Sequence, residues 1–77
     1  MVHIISVQSA EGGWSVQSDG ADNQMMFLSG AKAELAARAL GEKLAADGQT
    51  AEIRIFLRDG QLAGRVIKPG RSLALAG

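Results

Sequence analysis

The one side chain in this sequence whose ordinary pKa lies near neutrality is His3, the only histidine. A general base needs a nucleophile or a second acid to work with. The chain has no cysteine, and no serine is marked out by spacing as a partner for His3. A lone histidine on a strand is read here as structural or solvated. The acids Glu11, Asp19, Asp22, Glu34, Glu42, Asp47, Glu52 and Asp59 are scattered. Asp19-Gly20 and Asp59-Gly60 are explained by turn formation. Asp19 with Asp22 offers loose cation contact, without the dense oxygen-ligand spacing of a calcium loop. Structural zinc sites draw mostly on cysteine and histidine, which one histidine cannot supply. Gly12-Gly13 precedes a strand, so it is a turn and not a phosphate cradle opening a helix. No catalytic, cofactor-binding or metal-ligating residue is therefore assigned, and the domain is read as non-catalytic.

The arginines offer more. Arg54, Arg58 and Arg65 fall on the outer face of the last hairpin with Phe56 and Ala63. Arginine beside an exposed aromatic on a sheet can hold an anion or a single nucleic-acid strand by charge and stacking. Arg54 opposite Arg65 would repel unless Glu52, on the same face, offsets it. Eight basic and eight acidic residues give a formal net charge of zero, which opposes strong non-specific nucleic-acid binding. Nucleic acid is thus the second choice of partner. Trp14, the only tryptophan, is assigned to the core, with its indole N–H on a carbonyl or water.

These residues are positioned by six expected elements. Val2 to Gln8 is rich in β-branched residues and reads as a strand. Trp14 to Ser18 alternates apolar and polar, and Gln24 to Leu28 returns as a third strand. Ser29 is a good N-cap. From Gly30 the period becomes helical, with Ala33, Ala36, Ala37, Leu40 and Leu44 on one face. Gly41 borders that face, which suggests close backbone approach. Asp47-Gly48 ends the helix. Thr50 to Leu57 alternates, and Asp59-Gly60 signals a two-residue type I′ hairpin. That turn pairs Leu57 with Leu62, Phe56 with Ala63, Ile55 with Gly64, Arg54 with Arg65 and Ile53 with Val66. The expected order is β-β-β-α-β-β, an α+β domain of about five antiparallel strands with one helix on one face. Residues 1–70 form the domain and 71–77 a tail.

Several residues follow a known pattern: His3 on the first strand, Gly13-Trp14-x-Val16, Phe27 before Ser29, the alanine-spaced helix (Ala33, Ala36, Ala37) and Arg58-Asp59-Gly60. In these, across residues 2–62, the chain resembles the small prokaryotic family catalogued as domain of unknown function 2188. It departs from that pattern by adding a full strand after Gly60 and a tail. The resemblance implies a compact α+β fold in a small bacterial protein and carries over no functional residue. In architecture alone the chain is also similar to the antitoxin partners of small bacterial toxins, and fold does not fix function.

A chain of 77 residues buries only about 60% of its unfolded surface. Domains this small usually add disulfides, a metal or a partner subunit. With no cysteine and one histidine the first two are not expected here, which leaves self-association. Ile5, Val7, Met26, Phe56 and Ile67 are read as outward-facing on the sheet side away from the helix. A contiguous apolar patch there marks an interface, so a homodimer is expected, with a further protein partner possible. No segment approaches the roughly 20 apolar residues of a membrane helix, and no signal peptide is visible. A cytoplasmic protein without membrane association is expected.

Overall fold

The computed structural model describes residues 2–20 and 24–71. The expected turn over 21–23, Asp22 included, and the tail over 72–77 lie outside the described residues. The elements are β1 (Val2–Ala10), β2 (Gly13–Ser18), β3 (Met25–Phe27), α1 (Gly30–Ala46), β4 (Thr50–Phe56) and β5 (Leu62–Lys68). The α+β class holds: one helix packs on a five-stranded sheet of order β3-β2-β1-β4-β5.

The sheet is mixed and not antiparallel throughout as expected: three of the four strand pairings are antiparallel, and β1 with β4 is parallel. The cause is directional. Two hairpin reversals leave β3 running like β1, and the helix reverses the chain once more. β4 therefore emerges in the direction of β1, so pairing beside it is parallel, and the 17-residue helix supplies the crossover length such a pairing requires.

The helix begins where Ser29, extended at φ −130°, accepts a hydrogen bond from the Lys32 amide on its side-chain oxygen. It ends at Gly48, whose φ of +85° suits the left-handed position after the last turn. The Gly48 and Gln49 amides donate to the carbonyls of Ala45 and Leu44 and satisfy two of the final acceptors. The buried stripe is Ala33, Ala37, Gly41 and Ala45, with Leu40 and Leu44 flanking it. Four small residues at four-residue spacing let the axis sit close to the sheet. At Gly41 the approach is tight: an added Cβ would lie 3.1 Å from Ile53 Cδ1.

The β4–β5 turn differs from expectation. Type I′ requires positive φ at both central residues, but Asp59 has none and only Gly60 is positive, at +89°. The loop is one residue longer, closed by Leu57 N donating to Gln61 O and Gly60 N donating to Leu57 O. Asp59 stabilises it by accepting the Gln61 amide on Oδ1 at 3.0 Å. Phe56 consequently pairs with Leu62, not Ala63. A bulge between Ile55 and Phe56 absorbs the offset, so Ile55–Gly64, Arg54–Arg65 and Ile53–Val66 match the sequence-derived register.

Candidate binding surfaces of the sheet

The register assigns every strand residue to a face, because side chains alternate. His3, Ile5 and Val7 align with Ala51, Ile53 and Ile55 on β4, and Ile5 and Val7 with Ser18 and Val16 on β2. This is the helix side. Its core consists of Ile5, Val7, Val16, Ala33, Ala37, Ala51 and Ile53, with Trp14, Phe27 and Val66 packed around it.

Two of the expected interface residues are therefore misplaced. Ile5 is 0% and Val7 1% exposed beneath α1. Ile4 and Ile5 are equally apolar, so composition could not choose which face of β1 the helix covers. The alignment of Ile5 and Val7 with Ile53, Ile55 and Val16 decides it. The other three stand where expected, on the bare face. Met26 is 52% and Ile67 49% exposed, and Phe56 is half-buried. They do not form one apolar patch. Met26 lies on edge strand β3 and Ile67 on edge strand β5, four strand spacings or roughly 19 Å apart. Between them polar residues alternate with Ile4 on β1 and Phe56 on β4. Gln17, Ser6, Arg54 and Arg65 form one row across β2, β1, β4 and β5. Ser15 and Gln8 follow in the next row beside Met26. On the far side of the Arg row Glu52 pairs with both Ile4 and Ile67.

The four residues of the proposed anion face are divided. Arg54 and Arg65 are directly opposed, as expected. Glu52 accepts a hydrogen bond from Arg54 Nε and is the less exposed of the two, so the repulsion is offset by one carboxylate. Among the described residues Arg65 makes no ion pair. Arg58 does not join the row. The longer loop carries it to the end of the sheet, where its guanidinium carbon stands 5.8 Å from the Trp14 ring centroid. Such a contact is worth about 0.5–1 kcal/mol at an exposed site. Trp14 is half-buried against α1: a Cβ on Gly30 would sit 3.1 Å from its ring. The Arg58–Trp14 pairing was not legible, since the two residues lie in separate hairpins.

At the opposite end, His3 Nδ1 lies 3.5 Å from Asp19 Oδ1. No group of three or more His, Cys, Asp or Glu able to hold a metal occurs among the described residues. Glu42, on α1, is clasped by Lys68 at 3.0 Å and Arg71 at 3.2 Å. The hydrogen bond and charge of Lys68, with the charge of Arg71, hold the Glu42 carboxyl below the usual carboxylate value. Here the fold runs one residue past the expected boundary at 70: Arg71 N donates to Ala45 O, and Gly70 N to Thr50 Oγ1. Among the described residues no helix is long and apolar enough to cross a membrane. Comparison of the chain with family models, with curated proteins and with solved structures finds no match.

Proposed function

We propose that this domain is a non-catalytic interaction module that self-associates through its bare sheet face. The observation that carries the reading is the one-sided cover of the sheet. α1 shields one face of five strands, while the other presents Met26, Leu62 and Ile67 about half exposed around a hydrogen-bonding centre. A face five strands wide and about seven residues long measures roughly 20 by 23 Å. Two copies meeting on it bury on the order of 1,000 Å² in total, near the lower bound for a specific interface. Apolar residues set among polar ones supply both desolvation and register. The small core, headed by Ile5, Ile53, Val7 and Val16, gives such a domain reason to gain stability from a partner. The resemblance to the family of domain of unknown function 2188 belongs to this reading as an expectation of fold, and a cytoplasmic setting is part of it. Light scattering across a concentration series tests it: a dimer that Ile67→Glu converts to monomer supports the reading, and a monomer at every concentration refutes it.

A second reading, anion or nucleic-acid binding by the same face, is favoured by the direct opposition of Arg54 and Arg65. Glu52 on Arg54 and the departure of Arg58 leave it a smaller positive centre than the sequence promised. Its test is retention of single-stranded DNA by the wild type and by Arg54→Ala/Arg65→Ala. Unchanged retention in the double variant removes this reading.

A further inference from the structure

The two hairpin turns at one end of the sheet border two open concavities that meet at Arg58. Ser9, Gly12, Gly13, Trp14, Leu28 and Arg58 line a concavity of about 430 Å³. A second, of about 360 Å³, lies on the other side of Arg58 against Gln8, Phe56 and Leu57. Arg58 is the shared wall.

Three features give the cleft a ligand chemistry. First, Arg58 is held over Trp14, yet among the described residues it has no carboxylate partner. The neighbouring acid, Asp59, is occupied by the Gln61 amide. The guanidinium edge is thus a placed and unpaired fork, the geometry that takes a carboxylate in two parallel hydrogen bonds. Second, Leu28 is 88% exposed. It precedes the N-cap, where an apolar residue commonly folds back on the helix, and here it does not. It forms an apolar wall of the same concavity as the cation. Third, the rest of the lining is Ser9, Ala10 and the main chain of a glycine turn, a hydroxyl and backbone groups beside one methyl, which suit an amide better than a hydrocarbon chain. A single cation also fits a carboxylate better than a phosphate, which recruits several donors.

We infer that this cleft binds a peptide carboxylate that adjoins an apolar side chain. Arg58 takes the carboxylate, Leu28 and Trp14 cover the apolar group, and the Gly12–Gly13 turn faces the amide. The site does not depend on self-association, because Arg54, Phe56, Arg65 and Ile67 do not line the concavity that holds the ligand.

Trp14 is the only tryptophan, so all indole emission comes from one residue that lines this cleft. The probe is N-acetyl-leucine, titrated beside N-acetyl-leucinamide, hexanoate and inorganic phosphate. The expected result is a saturable change with N-acetyl-leucine and at least tenfold weaker response to the other three. Arg58→Gln should weaken binding at least tenfold and Leu28→Ser severalfold, with far-UV circular dichroism unchanged, while Arg65→Gln binds as wild type. Equal binding of the neutral amide, or full binding by Arg58→Gln, overturns the carboxylate assignment. Equal binding of hexanoate or phosphate overturns the peptide assignment, and no saturable response overturns the site.

Discussion

Gly13 and Gly64 both lie in strands with φ outside the left-handed region, yet alanine should act in opposite directions at the two. At Gly13 a Cβ would lie 2.2 Å from the Phe27 carbonyl oxygen, 3.3 Å from its carbon and 3.6 Å from Leu28 Cα. All three are backbone atoms, so no rotamer change relieves the clash. β3 must move away from β2 by about 1 Å or more to reach ordinary contact. That disturbs a pairing only three residues long, Trp14–Phe27 to Val16–Met25. Each lost hydrogen bond costs about 1 kcal/mol, and overpacking alone about 1–3 kcal/mol. With one hydrogen bond lost, the sum expected for Gly13→Ala is about 2–4 kcal/mol, a large share of the roughly 4–12 kcal/mol a domain of this length holds. At Gly64 nothing lies within 4 Å of the added Cβ. There alanine only restricts the unfolded chain and should stabilise by about 0.4–1 kcal/mol. Urea unfolding followed by Trp14 emission and by far-UV circular dichroism measures both. With a slope near 1 kcal/mol/M, the Gly13→Ala midpoint should fall by about 2–4 M while that of Gly64→Ala rises. A Gly13→Ala midpoint within about 0.5 M of wild type would refute the close approach of β2 and β3.

The face assignment predicts that Ile5→Ala, beneath the helix, costs about 2–5 kcal/mol, whereas Ile67→Ala on the bare face costs under about 1 kcal/mol in the monomer; similar losses in urea unfolding would contradict it. The Glu42 carboxyl, lowered first by Lys68 and then by Arg71, contributes stability that is complete above its unfolded pKa and is lost as pH falls through the lower folded value. Wild type should therefore lose more stability than Glu42→Gln on acidification below the ordinary carboxylate range, and parallel acid curves for the two would exclude the clasp. Each bare face carries two arginines and one glutamate in its central rows, so face-to-face dimers bring excess positive charge together. Raising salt to about 0.5 M should screen this and tighten the dimer, as sedimentation equilibrium would record; weakening by salt would point to an interface of opposite charges instead.

Local physics was legible along the chain. The β-branched run of β1, the alternation of β2 and β4, the Ser29 cap and the Gly48 stop each depend on residues a few positions apart, so the element order followed from sequence. The Arg54–Arg65 opposition followed too, because hairpin pairing is short-range, although its agreement with the structure required a longer loop and a bulge that offset each other. Tertiary structure decided the rest. β1 has isoleucine on both sides of its pleat, and only parallel pairing with β4 beside β2 determines that Ile5 and Val7, not Ile4, meet the helix. The same choice leaves Ser6, Gln8 and Ser15 on the bare face and separates its exposed apolar residues Met26 and Ile67 onto opposite edge strands. Arg58 shares the hairpin with Arg54 and Arg65 in sequence but belongs to Trp14 in space, because one extra loop residue carries it round the end of the sheet. Periodicity along a chain reports which side of an element is apolar; which elements lie side by side, and so which residues meet, is fixed by contacts between residues tens of positions apart.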